Sequence, residues 1–232
     1  MATPAPSPGP GPTSVPPTGK PELQEVAKSA TLGPIKDSTL YQASSNFTSN
    51  GSGQHLFVGN TNGGFARRTL LAFDISGNIP EDATVNSVAL TLKMSKTQAD
   101  VQEIGLHRLL SDWGEGATDP EGNEGNGAVA GTGDATWVHT IFDTEEWATP
   151  GGDFSSQTSV TQMVGGVGPY TWSSTNEMVA DVQSWLDDPS TNFGWLLRGN
   201  ESVNQTAKRF DSRDNASEGN RPVLAVEFTL KE

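Results

Sequence analysis

Cysteine is absent from the 232 residues, which excludes a disulfide framework, thiolate chemistry and every cysteine-based zinc site. Long apolar runs are missing as well. None reaches the roughly 18 residues a membrane-spanning helix needs, so no membrane insertion is expected. Basic residues are scarce, 14 Lys and Arg against 28 Asp and Glu for a net charge of −14. Such a chain is poorly suited to neutralising phosphates, and no nucleic-acid partner is expected. The opening residues MATPAPSPGPGP have neither a basic nor an apolar region, so they do not read as a signal peptide. Catalytic signatures are missing too: His55, His107 and His139 lie far apart and no HExxH, GxSxG or HxE pattern occurs. The sequence therefore reads as that of a protein that is not an enzyme.

What is present is strand-like. Residues 1–25 carry eight prolines among Ala, Ser, Thr and Gly, the composition of an extended linker or arm. The domain is expected over 26–232. Segments 38–42, 55–59, 67–75, 87–95 and 103–110 alternate in hydrophobicity between Gly, Asn or Pro punctuation. In the fourth, Val88, Leu90, Leu92 and Met94 share one face, as in a half-buried antiparallel strand. Further strands are predicted over 136–142, 159–164, 169–172, 193–198, 207–211 and 221–230. One short helix is predicted at about 174–188: Ser174 and Glu177 match a capping box, and Met178, Val182, Trp185 and Leu186 recur at helical spacing. About ten strands and one helix predict an all-β fold, a two-sheet β-sandwich.

The stretch from Asp112 to Trp137 is the most unusual. It is glycine-rich and holds Asp112, Glu115, Asp119, Glu121, Glu124 and Asp134 without a single Lys or Arg. Crowded carboxylates repel, and glycine makes a loop costly to order. A structural Ca²⁺ held by some of these six acids would offset both costs, since it takes six to eight oxygen ligands. The twelve-residue EF-hand spacing is absent, and a solvated mobile loop is the alternative.

Three tryptophans, Trp113, Trp137 and Trp147, border this acidic region. Aromatic faces stack on sugar rings while neighbouring polar groups bind hydroxyls, so the three are candidate ligand-binding residues; the alternative for each is a place in the core. Arg67, Arg68, Arg198, Lys208, Arg209, Arg213 and Arg221 hold much of the positive charge. All seven are candidates to converge on an acidic polysaccharide, with Arg67 and Arg209 as the ligand-binding pair, while the two-to-one excess of acids favours pairing with the chain's own carboxylates. Five N-x-[ST] sequons stand at Asn46, Asn50, Asn200, Asn204 and Asn215.

From about Ser29 onward the chain resembles the DNRLRE-domain family of exported bacterial and archaeal proteins. The resemblance rests on KDSTLYQ (36–42), HLFVGNTNGGFARRTLLAFDI (55–75), IPEDATVNSVALTL (79–92), LHRLLSDWGEG (106–116), GDATW (133–137), WATPGGDF (147–154), DVQSWLDDPSTNFGWLLRGNE (181–201), KRFDSRD (208–214) and RPVLAVEF (221–228). KRFDSRD corresponds to the family's charged stretch before the last strand, with Asp214 where Glu is expected. The resemblance implies a jelly-roll β-sandwich in a secreted or cell-surface protein. It also implies a non-catalytic module with a leaning toward polysaccharide binding, acidic polysaccharides included, and jelly rolls of this kind often carry structural calcium. The alternative is a structural surface protein, a stalk, adhesin or filament subunit, whose proline-rich arm docks on a neighbour in a homo-oligomer.

Overall fold

The structure, a computed structural model, describes residues 1–5, 9, 11, 24–43 and 47–231. The proposed arm over 1–25, with any docking role, lies for the most part outside the described residues. The first half of the chain supplies β1 (Glu25–Leu32), β2 (Lys36–Tyr41), β3 (Thr48–Ser49), β4 (His55–Asn60), β5 (Ala66–Ala72), β6 (Thr84–Thr97) and β7 (Gln102–Arg108). A long excursion follows, with only β8 (Ala128–Val129), β9 (His139–Ile141) and β10 (Glu145–Glu146) in it. The chain then forms β11 (Val160–Val164), β12 (Gly168–Trp172), helix α1 (Asn176–Asp187), β13 (Trp195–Arg198), β14 (Lys208–Asp211) and β15 (Val223–Lys231).

Eleven strands make one antiparallel sheet in the order β1-β15-β6-β14-β4-β5-β13-β7-β11, with β12 on β6 and β2 on β5. The sheet curls where β4 meets β5, since only Gly59–Arg67 and Asn60–Ala66 pair there. It thus packs on itself as two layers, a jelly-roll-like sandwich. The length of β6 makes this possible, because β15 pairs with Thr84–Thr91, β14 with Met94–Thr97 and β12 with Leu90–Met94.

Between the layers Val88, Leu90, Leu92 and Met94 meet Leu56, Val58, Leu71, Phe73, Trp172, Trp195 and Phe210. Each such aliphatic side chain contributes about 1.5–3 kcal/mol by leaving water. Helix α1 buries Met178, Val182, Trp185 and Leu186 on this core, and Trp185 packs edge-on against Trp195 at 4.6 Å. Its N-cap is Thr175, whose Oγ1 accepts from Met178 N–H. Ser174 is instead used by β6, accepting from Val88 N–H, so the cap lies one residue beyond the predicted Ser174.

A second core lies on the outer face of the β2, β5 and β13 strands. Leu40, Leu70, Ala72 and Leu196 point outward there and are covered by Leu109, Trp113, Ala135 and Trp147, with Trp137 and Phe154 packed alongside. The long excursion is therefore a third layer pinned by its own tryptophans. Strand β1 was not anticipated, because EVAKSATL is almost wholly exposed and carries no strong alternation.

Candidate functional site

The six acids expected to share a metal are not brought together. Asp112 is exposed and pairs with Lys36 Nζ at 2.6 Å. Glu115 receives Arg213 Nη1 on both oxygens, at 2.8 and 2.7 Å, and also Asp37 N–H. Glu124 is buried: it accepts from Gln54 N–H (3.2 Å), His55 N–H (2.9 Å) and Asn50 Nδ2 (3.1 Å). Asp134 is fully buried, taking Gly131 N–H at 2.6 Å and the Thr118 hydroxyl. Asp119 and Glu121 face solvent. The cost of ordering the loop is thus offset by protein donors and cations, which is why the acids could spread apart instead of converging on one ion.

One compact acidic group does exist among the described residues, and only Glu115 of the six belongs to it. Ligand oxygens of Asp37, Glu115 and Asp214 lie within 4.8 Å of one another. Burial raises the Asp37 carboxyl to about 8, opposed by a hydrogen bond from Arg213 N–H and assisted by the charges of Glu115 and Asp214. Arg213 supplies one positive charge to these three acids.

The tryptophans divide. Trp113 and Trp147 are 2% and 4% exposed, and their indole N–H groups donate to the Phe193 and Thr136 carbonyls. Neither has a free face for a sugar. Trp137 is half-buried, and the Arg68 guanidinium already lies over its ring at 4.7 Å.

Arg67 and Arg209, by contrast, reach the same place. A groove of about 300 Å³ opens at one end of the sandwich, where the β4–β5 turn, the end of β6, the start of β14 and the tip of the acidic loop meet. Register sets its floor: Arg209 pairs with Phe57 of β4 on one side and with Lys96 of β6 on the other. An aromatic ring and two cations therefore stand in a row across three strands. Arg67 enters from β5, stacked on Tyr41 at 4.8 Å, and donates to the carbonyls of Gly125, Gln42 and Ala66. Lys208 is 1% exposed, with its ammonium on the carbonyls of Ala99, Asp100 and Gly165 at 3.0, 2.8 and 3.0 Å. Burial lowers the pKa of both Arg67 and Lys208.

No carboxylate lines this groove among the described residues. Arg67, Lys96, Lys208 and Arg209 hold only carbonyl, amide or hydroxyl oxygens, Lys96 bonding Asn123 Oδ1 at 3.2 Å and Arg209 bonding Ser95 Oγ at 3.1 Å. Elsewhere Lys36, His55, Arg68, Arg198 and Arg213 each have an acid at contact distance. Carbonyls already satisfy Lys208 and much of Arg67, so the donors left for a ligand are chiefly those of Lys96 and Arg209.

Residues 28–142 match the model of carbohydrate-binding module family 96. The match supports a carbohydrate-binding module, and families of that kind bind rather than catalyse. It runs from Lys28 within β1 to just past β9 and so includes Phe57, Arg67, Lys96, Asn123 and Gly125, while Lys208 and Arg209 come from beyond it. No curated protein matches the chain significantly. No helix among the described residues is long and apolar enough to cross a membrane.

The acidic loop shapes the rim. Glu124 sits at φ 57°, left-handed and uncommon for a non-glycine residue. The donors that hold its carboxylate, together with the Tyr41 hydroxyl on its carbonyl at 2.9 Å, turn it inward. Its neighbours Asn123 and Gly125 are thereby presented to the groove. Gln205, also left-handed at φ 64°, stands on the opposite rim. Phe57, Lys96, Asn123 and Gln205 carry no signal in the sequence that marks them as ligand contacts. The adjacent pair Lys208-Arg209 was the visible signal, but cross-strand register, which seats Lys96 and Phe57 beside it, is not written in local sequence.

Proposed function

We propose that this protein is a non-catalytic, extracellular polysaccharide-binding module that takes acidic chains in the cationic groove. The observation that carries this reading is the convergence of Arg67, Lys96, Lys208 and Arg209 on one groove without a carboxylate, in a protein of net charge −14. Arg209 offers the planar guanidinium that suits a sugar carboxylate, and Phe57 supplies an apolar edge for a ring face. The family 96 match supports carbohydrate binding, and the resemblance to the DNRLRE-domain family leans toward polysaccharides. Affinity electrophoresis in gels containing a polyuronate, a neutral glucan or no polymer tests it. Retardation by the polyuronate, lost in Arg209→Ala, is the expected result. No retardation by any polyuronate, or retardation undiminished in Arg209→Ala, would refute it.

A calcium ion, in this reading, sits at Asp37, Glu115 and Asp214 and not among the loop acids at large. What favours that place is charge: three carboxylates against one guanidinium leave a deficit that either a proton on Asp37 or a divalent ion can fill.

A further inference from the structure

The outer face of the β13, β7 and β11 strands is only partly roofed by the excursion. Beyond Phe154 it opens into a second groove of about 490 Å³, lined among others by Gly105, His107, Thr158, Thr161, Arg198 and Asn200. Arg198 pairs with Gly105, and Gly105 with Thr161, so the row across three strands reads guanidinium, bare backbone, threonine. Glycine in mid-strand weakens a sheet and marks a close approach. Here the close approach is made by the Thr158 and Thr161 methyls and by His107 Nε2. A Cβ at Gly105 would stand 3.0 Å from Thr158 Cγ2 and 3.2 Å from His107 Nε2, so those two groups wall a trough.

His107 is fixed for a specific task. Its Nδ1–H donates to the Ser155 carbonyl at 3.1 Å, which leaves Nε2 as an acceptor facing the trough. Burial and the nearby Arg198 and Arg68 charges lower its pKa, so the ring stays neutral. Phe154 closes one end, edge-on to His107 at 5.3 Å and beneath the Arg198 guanidinium at 5.9 Å. Arg198 shares Glu201 with Arg68, and Glu103 lies at the margin. The charges here are close to balanced, unlike those of the cationic groove. One acceptor, an amide and a guanidinium, beside the methyls of Thr158 and Thr161 over a backbone floor, form a set that reads hydroxyl groups and the C–H face between them.

We propose that this trough is a second sugar site, independent of the cationic groove, which takes an uncharged, hydroxyl-rich saccharide unit. It rests on the module being carbohydrate-binding but not on the acidic specificity of the first site. A protein with both would hold two chains, or two stretches of one chain, at once.

The test is an amide NMR titration of the whole chain with neutral cello-, manno- and xylo-oligosaccharides, in parallel with a uronate oligomer. Expected are saturable shifts at Gly105, Thr161, Arg198 and Asn200 with at least one neutral oligomer. These should persist in high salt and in Arg209→Ala, and vanish in Thr161→Phe, which fills the trough from an exposed position. The second variant Asn200→Ala should weaken the same shifts if Thr161→Phe disturbs the strand. Absence of shifts at these amides with every neutral oligomer overturns the second site, as does their survival in both variants. Uronate shifts around Arg209 would then still stand, so the two readings fail separately.

Discussion

Arg209 and Phe57 are direct cross-strand partners on β14 and β4, and the other edge of Arg209 faces Lys96 on β6. A guanidinium held by one bond to Ser95 Oγ, with its remaining donors uncommitted among the described residues, is set to grip a carboxylate. Charge-assisted hydrogen bonds of this kind contribute about 1.5–3 kcal/mol. Arg209→Ala should therefore weaken polyuronate binding about tenfold or more by calorimetry. Its melting temperature should stay close to wild type, because Arg209 is not in the core.

Glu124 acts on the groove without touching a ligand. Replacing it by Ala leaves the Gln54, His55 and Asn50 donors short of an acceptor, and each buried donor so stranded costs about 1–3 kcal/mol. Denaturant unfolding should show that loss, and polyuronate affinity should fall with it as Asn123 and Gly125 leave the rim. Glu124→Gln, which keeps the shape, should recover most of the affinity.

Trp113 and Trp147 should affect stability and not recognition. Truncating a buried Trp to Ala costs about 3–5 kcal/mol, so Trp147→Ala is expected to lower the unfolding midpoint sharply. The milder Trp147→Phe should bind polysaccharide as the wild type does. A selective loss of affinity in that variant would return the indole to the binding surface.

Asp37 predicts an unusual pH dependence. Its folded-state carboxyl lies near 8 against an ordinary value of 3.8. Below about pH 4 both folded and unfolded chains hold the proton and nothing is lost. As pH rises the unfolded chain releases it first, so the native state loses about 1.4 kcal/mol per pH unit until the folded group also ionises. Asp37→Asn, which can still accept from Arg213 N–H, should remove that slope and melt higher than wild type near pH 8–9. Millimolar Ca²⁺ at the same pH should raise the wild-type melting temperature over that in EDTA and leave Asp37→Asn unmoved. An identical response in both proteins would exclude this cluster as a cation site.

The sandwich itself was legible because alternation is a local property: Val88, Leu90, Leu92 and Met94 declare a half-buried strand, and Met178, Val182, Trp185 and Leu186 a helical face. Arg67 and Arg209 were legible as candidates through their charge. The second core was not, since tryptophans beside acids look alike whether they seal a layer or greet a sugar, and only burial tells Trp113 and Trp147 apart from a platform. The dispersal of the loop acids was equally hidden. It depends on Lys36, Arg213, Asn50 and Thr118, partners that lie up to 98 residues away.

The segregation of charge has a kinetic consequence. A polyanion approaching this protein meets repulsion from a net charge of −14 over most orientations and attraction only near the cationic groove. Long-range repulsion is screened beyond about 8 Å at physiological ionic strength, while contacts inside a partly buried groove are screened much less. Added salt should therefore speed the encounter with an acidic chain while changing its departure much less. Stopped-flow association rates should rise with moderate salt and dissociation rates stay nearly constant.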